Sequence, residues 1–214
     1  MEDTQLKKTA RCIQRWAAML SQLAQSLDAD RVAYWLGPVA AKGWSSASAY
    51  RRLRVIRAWS GWSGVPLSAL DPPASQLVVL SPALLAKVLV SRALFSRAVA
   101  VRRCIERERL NWIEQCVGPR VLEQMRQHAG PQHAGTRLAL PLLPRDADQA
   151  AWIGDGWRRL EADGMWPHPV VAKLLSLSLP LGATQVAPVP ADGASDAFLS
   201  ALPTFIPEAS CVFG

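Results

Sequence analysis

Apolar residues recur at the spacing of one helix face along most of this chain. In residues 4–27 they alternate in this way with Lys, Arg and Gln side chains, and the pattern predicts an amphipathic helix. Asp28 suits the cap of a second, short helix, which Gly37-Pro38 ends. Residues 48–59 predict a third helix by the same spacing. One face of this third helix holds its apolar residues, which are Tyr50, Leu53, Ile56 and Trp59.

The middle of the chain has the clearest helix boundaries. Ser81-Pro82 predicts a helix start, because Ser is a preferred N-cap and Pro suits the first helical position. Gly118-Pro119 ends one helix and starts the next. Between these points the apolar register shifts across residues 106–109. The shift indicates either a bend or a helix that is covered on two sides.

Two more helices are predicted after a linker rich in Gly, Pro and His at residues 130–144. They lie near residues 148–163 and 169–179, where apolar residues again share one face. Residues 181–214 are rich in Pro, Ala, Ser and Gly, which predicts a flexible tail. We therefore expect a mainly α fold, with a single compact domain of about six to eight helices over residues 1–180.

Composition agrees with a helical core and makes charge the main clue to function. Half of the 214 residues are apolar, and two Tyr and four Phe give little support to strands. Residues 1–127 hold 19 Lys and Arg against 9 Asp and Glu, a net charge of +10, whereas residues 128–214 hold 5 against 8, a net of −3. A basic first half implies an acidic partner: nucleic acid, an anionic membrane surface or an acidic protein surface.

The segment YRRLRVIRAW at residues 50–59 is the strongest candidate for such a contact. It mixes Arg with aromatic side chains, as a nucleic-acid-binding helix does. A second basic stretch, residues 97–109, also carries Glu106 and Glu108. A surface with both signs repels as well as attracts phosphates, which favours a protein-facing or solvated surface there. A DNA-binding regulator and a peripheral membrane-surface protein remain the alternatives to protein docking.

The sequence offers no pattern of catalytic or metal-ligating residues. Gly154-Asp155-Gly156 is too short to hold a phosphate and lies within a helical pattern. The acidic residues near it suit helix caps and first turns, and the His and Cys residues lack the spacing of metal ligands. We therefore expect no enzyme activity, no cofactor and no metal, and we expect reduced thiols. The side chains concerned are Asp146, Asp148 and Asp155, His128, His133 and His168, and Cys12, Cys104, Cys116 and Cys211.

No stretch of the sequence predicts a membrane span or a signal peptide. The longest charge-free run, residues 174–191, contains three Pro, which a spanning helix disfavours. Four Lys and Arg residues within the first fifteen positions interrupt the apolar run that a signal peptide requires. We expect a cytoplasmic protein.

Two stretches resemble the SctK family of type III secretion systems, the class that includes YscK, PscK and the Hrp-type counterparts of plant pathogens. The first is LSPALLAKVLVSRALFSRAVAVRRCIERERLNWIEQCVGPRVLEQM at residues 80–125, where a Leu-rich helix precedes a basic helix that ends in Ile. The second is IGDGWRRLEADGMWPHPVVAKLLSLSLP at residues 153–180, which is similar to the family's Gly-Trp helix and the short helix after it. Positions that match the first pattern are Leu84, Leu85, Arg102, Arg103, Ile105, Ile113, Val117 and Gly118.

This resemblance implies a cytosolic adaptor that is needed for protein secretion. SctK-type proteins link the cytoplasmic domains of the inner-membrane ring (SctD type) to the pods of the sorting platform (SctQ type), which carries the SctL-type stalk and the ATPase. The resemblance implies the same partners here, without nucleic acid or membrane insertion, and a location at the cytoplasmic face of the inner membrane. Trp and Arg are enriched at binding hot spots. The candidate partner-binding residues are Trp44, Arg51, Arg52, Arg54, Arg57, Trp59 and Trp62, with core burial as the alternative for each Trp.

Overall fold

The computed structural model describes residues 2–127 and 148–210, and within these ranges the protein contains helices and no strand. This confirms the predicted mainly α fold. The described residues form more helices than expected, because turns divide several of the predicted segments. The predicted linker at residues 130–144 lies outside the described residues. The helices are α1 (Glu2–Ser26), α2 (Ala29–Leu36), α3 (Pro38–Lys42), α4 (Ala49–Ser60), α5 (Pro73–Gln76), α6 (Pro82–Phe95), α7 (Ala98–Arg103), α8 (Arg107–Val117), α9 (Pro119–Gln127), α10 (Gln149–Ala162), α11 (Pro169–Ser178), α12 (Leu181–Thr184) and α13 (Ser195–Phe205), with short 3-10 turns between some of them.

Side-chain caps set helix starts at the positions that the sequence predicts. The carboxylate of Asp28 accepts the N–H of Arg31 at 2.8 Å at the start of α2. Ser81 Oγ accepts the N–H of Leu84 at 3.4 Å at the start of α6. Asp148 caps α10 in the same way. Each cap satisfies a backbone N–H that the helix itself leaves without a partner.

The predicted register shift at residues 106–109 corresponds to a break between two helices. α7 ends at Arg103, and α8 begins at Arg107. The backbone at Cys104 and Glu106 is extended, with ψ angles of 121° and 106°. Of the two predicted alternatives, the bend is therefore the one that the chain adopts.

The described helices form two compact units. The first comprises Met1–Val79 with Trp166–Ser178, and the second comprises Leu80–Met165 with Leu179–Gly214. The division does not follow the order of the chain, since α11 belongs to the first unit while α10 and α12 belong to the second. Hydrophobic periodicity identifies a helix but not the helices it packs against, so the pattern along the chain does not contain this division.

The first unit holds α4 against a buried apolar core. α1 packs against α4, and α11 packs against the 3-10 turn at Leu77–Val79. Trp16, Ile56 and Leu174 from these elements are fully buried. Trp16 also stacks on Trp62, with ring centroids 5.4 Å apart. One side of α4 is therefore fixed by packing, which leaves its other side available.

In the second unit, α10 packs closely against α6 and α12 through two glycines. A Cβ atom at Gly156 would overlap the carbonyl group of Leu89 on α6, and one at Gly154 would overlap the carbonyl group of Ala183 on α12. The Gly154-Asp155-Gly156 motif therefore allows helix backbones to approach. This agrees with its placement inside a helix rather than in a phosphate-binding loop.

Residues 181–210 do not form the flexible tail that their composition predicts. The chain forms α12 and then α13, whose Phe198 is fully buried. Phe95 of α6 meets the rings of Phe198 and Phe205 edge-on, with centroids 5.5 and 6.0 Å apart. The difference arises because Pro188, Pro190 and Gly193 lie between α12 and α13, while the apolar residues of α13 share one helix face. Residues 211–214 lie outside the described residues.

Candidate docking surface

α4 presents three arginines on the side that faces away from the core of the first unit. Ile56 and Ser60 are buried on the inward side of the helix. Arg51, Arg54 and Arg57 are exposed. Because residues three and four apart lie on one side of a helix, the three guanidinium groups share one surface.

Two apolar side chains lie on the same surface. Tyr50 is 69% exposed, and Val55 is also exposed. The sequence pattern groups Tyr50 with Leu53 and Ile56 on one face. In the structure the inward stripe runs through Leu53 and Ile56, while Tyr50 is exposed one turn before Arg54. We call this surface the α4 arginine face, and its residues are Tyr50, Arg51, Arg54, Val55 and Arg57.

Arg52, the fourth candidate arginine, has a different environment. Its guanidinium lies over the Trp44 ring, 5.5 Å from the centroid, and its Nη2 donates to the Ser45 carbonyl at 2.9 Å. Trp44 is itself buried, and its Nε1–H donates to the Leu27 carbonyl at 2.8 Å. Arg52 and Trp44 therefore pack against other residues of the first unit. Trp44 is buried in the core, which was the alternative to partner binding for this residue.

The other two candidate tryptophans are half-buried. Trp59 meets the Trp35 ring edge-on, with centroids 6.1 Å apart, and Lys173 Nζ lies 5.8 Å from the Trp59 centroid. Trp62 stacks on Trp16. Both rings therefore pack against neighbouring helices on the inward side of α4. The exposed arginines lie on its outward side.

Positive charge concentrates in the unit that carries α4. The residues of the first unit include eleven Lys and Arg against five Asp and Glu, a net of +6 out of the +7 of the whole chain. α4 itself contains four Arg and no acidic residue. Like charges one turn apart on a helix repel one another. An acidic partner would relieve this repulsion, so the α4 arginine face suits a negatively charged surface.

A second group of charged side chains lies inside the second unit, around Arg92. This α6 residue is fully buried, and its Nη2 lies 3.0 Å from Asp163 Oδ2 and also pairs with Asp192 Oδ1. Arg92 Nε donates to Ser195 Oγ at 2.9 Å. One guanidinium thus joins α6 to the end of α10 and the start of α13.

Two further arginines extend this group. Arg97 Nη1 lies 2.7 Å from Asp155 Oδ2. Arg159 lies 2.8 Å from Asp155 and 2.8 Å from Asp192. The result is a closed set of three positive and three negative charges, which we call the ion network: Arg92, Arg97, Arg159, Asp155, Asp163 and Asp192.

The arginines keep the carboxylates of the ion network ionised. Burial by itself raises the pKa of Asp192, but the hydrogen bonds and charge of Arg92 outweigh burial and hold that pKa far below its ordinary value. Burial acts in the same sense on Asp155, and the hydrogen bonds from Arg97 and Arg159 again outweigh it, so this pKa is also lowered. Carboxylates bound in this way hold structure together and are poor candidates for proton transfer.

The ion network has no signature in the sequence, because its members are far apart in the chain. Asp163 and Asp192 lie 71 and 100 positions from Arg92. In the sequence, Asp155 stood out only as part of Gly154-Asp155-Gly156, and Arg97 only as the start of the basic stretch at residues 97–109. No local spacing signals a contact of this range, so no sequence pattern could have found it.

Acidification tests the ion network. The folded-state pKa values of Asp155, Asp163 and Asp192 are lowered, so their contribution to stability is complete above the unfolded-state pKa of about 4 and is lost as the pH falls below it. We expect the free energy of unfolding, measured by urea denaturation, to begin to fall at about pH 5 and to keep falling as the pH is lowered through about pH 3 and below. In Asp192→Asn the free energy of unfolding should depend less steeply on pH. An unchanged pH dependence would contradict the place of Asp192 in the ion network.

One comparison with known proteins decides the family. The family model described as bacterial type III secretion protein (HrpB4) matches residues 3–208. The chain belongs to the HrpB4 family. This confirms the predicted resemblance to a family of type III secretion proteins. No curated protein and no solved structure matched the chain.

The remaining candidate residues of this HrpB4-family protein have local contacts. His168 Nδ1 accepts the N–H of Val170 at 3.3 Å at the start of α11. Cys12, Cys104 and Cys116 are free thiols. The described part of the chain contains no group of His, Cys, Asp and Glu side chains that could hold a metal ion, and none of its helices is long and apolar enough to cross a membrane. Outside the described residues lie His128, His133, Asp146 and Cys211.

Proposed function

We propose that this protein is a cytoplasmic, non-catalytic adaptor of the type III secretion apparatus that is needed for protein secretion. It links the SctD-type inner-membrane ring to the SctQ-type pod, and through the pod it is connected to the SctL-type stalk and the ATPase. These contacts hold it at the cytoplasmic face of the inner membrane. The α4 arginine face is the observation that supports this proposal, within a family of type III secretion proteins.

The composition of the α4 arginine face favours a protein partner. Its three exposed guanidinium groups can each bind a carboxylate through two parallel N–H donors. Tyr50 adds exposed aromatic surface beside them, and both Tyr and Arg are enriched at binding hot spots. An acidic, partly apolar surface on a secretion protein matches this combination better than phosphate groups alone.

Charge reversal tests this use of the face. We expect Arg51→Glu, Arg54→Glu and Arg57→Glu together to weaken binding to the purified SctQ-type or SctD-type protein by about 10- to 100-fold, because each lost surface pair contributes up to about 1 kcal/mol and repulsion adds to the loss. Isothermal titration calorimetry measures the affinity. The helical circular-dichroism signal should persist, since surface substitutions usually cost under about 0.5 kcal/mol each.

A matched control separates a specific surface from total charge. Lys42→Glu, Arg120→Glu and Arg126→Glu together change three exposed residues outside α4 and give the same net charge. This variant should bind both secretion proteins as the native protein does. Equal weakening by both triple variants would contradict a docking role for the α4 arginine face.

Two assays with the native protein distinguish the other partners that the sequence left open, nucleic acid and a membrane surface. A DNA-binding regulator would bind duplex DNA with an affinity that falls steeply with salt, and a membrane-surface protein would float with phosphatidylserine vesicles. We expect neither with the native protein. In a strain that lacks the gene, secretion should stop while the needle ring still assembles, and the α4 variant should restore secretion less well than its control. Normal secretion in the deletion strain would contradict the proposal.

A further inference from the structure

The connection between α7 and α8 displays an isoleucine to solvent. Ile105 is 93% exposed, the largest exposure of any large apolar side chain in the described part of the chain. Single apolar residues are common on protein surfaces, so exposure by itself assigns no role. A role for Ile105 is indicated by the backbone on either side of it and by the charged side chains around it.

The backbone is fixed on both sides of Ile105. The N–H of Cys104 donates to the Val101 carbonyl at 3.2 Å where α7 ends, and the N–H of Leu110 donates to the Glu106 carbonyl at 3.1 Å where α8 begins. Both helices pack against α9 within the second unit. The side chain therefore projects from a preorganised segment, and such a segment binds well because little conformational freedom is lost on association.

The segment around this side chain carries both signs of charge, with exposed Glu106 and Glu108, and its net charge is positive. Arg103 and Arg107 are exposed at the ends of the two helices. Glu106 is engaged by Arg109, whose Nη2 lies 2.9 Å from Glu106 Oε2. Residues 102–109 contain four Arg and two Glu. A partner surface is therefore complementary to this segment when it has an apolar pocket for the isoleucine and acidic residues around that pocket.

We propose that Ile105 anchors a second docking surface, which inserts into an apolar pocket with an acidic rim on another protein of the secretion apparatus. This surface belongs to the second unit, whereas the α4 arginine face belongs to the first. An adaptor holds two proteins at once and needs two separate surfaces. The Ile105 surface is a distinct site, and its test does not depend on which protein the α4 arginine face binds.

Photo-crosslinking in secreting bacteria tests the proposal. A photoreactive benzoylphenylalanine at position 105 should crosslink to one protein of the secretion apparatus, through a peptide that contains apolar residues and neighbouring Asp or Glu, identified by mass spectrometry. The same amino acid at Val39, an 85% exposed residue of α3, is the matched control and should not give that product. The crosslink reports contact directly and does not require a variant that abolishes binding.

Substitution supplies the second readout. We expect Ile105→Ser to reduce secretion at least tenfold in the deletion strain at unchanged protein level, while Ile105→Val and Val39→Ser keep native secretion. The proposal would be overturned if position 105 gave no crosslink, or if it crosslinked to a second copy of this chain, to lipid or to nucleic acid. Normal secretion by Ile105→Ser would also overturn it. A crosslink to a secretion protein other than the SctD and SctQ types would support this surface and would count against the proposed adaptor partners.

Discussion

Gly156→Ala is expected to lower the free energy of unfolding by about 3 kcal/mol, the upper part of the usual range for an overpacked core. The added methyl group would overlap the Leu89 carbonyl on α6. The Leu89 carbonyl belongs to the α6 backbone, so the overlap is relieved only if α6 and α10 move apart. Such a movement would disturb the packed core. Urea denaturation followed by circular dichroism measures the change.

Gly43→Ala is the matched control for this substitution. Gly43 has a negative φ of −100°, and a Cβ atom there would meet no atom within 4 Å. We expect this variant to be as stable as the native protein or slightly more stable, because alanine restricts the unfolded chain. If the two variants were equally stable, α10 and α6 would not be in the close contact that the structure shows.

Arg92→Met is expected to lower the free energy of unfolding by about 3–5 kcal/mol. Methionine fills much of the space of the arginine side chain but leaves Asp163 and Asp192 without their shared guanidinium. Removing one partner of a buried ion pair is costly because the other charge stays buried without full compensation. The same denaturation experiment measures the loss.

Lys87→Met tests whether burial is the reason for this effect. Lys87 lies on the same helix, but its partner Glu208 is exposed and their ion pair is 3.3 Å long. Exposed pairs contribute up to about 1 kcal/mol, so we expect a change of that size at most. A similar small change in Arg92→Met would show that the ion network does not hold α6, α10 and α13 together.

Local signals in the sequence predicted most of the helices. Asp28, Ser81 and Asp148 act over three residues to cap their helices, so their effect can be read from adjacent positions. The shift in the register of the apolar stripe across residues 106–109 was also visible in the sequence, but the choice between a bend and a helix covered on two sides came from the structure. The match to the HrpB4 family likewise agrees with the resemblance carried by residues 80–125 and 153–180.

Features that depend on distant contacts could not be predicted in this way. The ion network brings Arg92 to Asp192 across 100 positions, and α13 packs against Phe95 of α6, which is also far from it in the chain. Tyr50 shows the same limit on a smaller scale. It continues an apolar pattern, yet the inward side of α4 is decided by its neighbours, so Tyr50 joins the candidate docking surface instead of the core.

Reconstitution of the link itself tests the adaptor proposal most directly. The SctQ-type protein and the cytoplasmic domain of the SctD-type protein are mixed with and without this protein, and the masses of the complexes are measured by size-exclusion chromatography with light scattering. We expect the two to elute together only when this protein is present. Co-elution without it, or no three-component complex with it, would contradict the account.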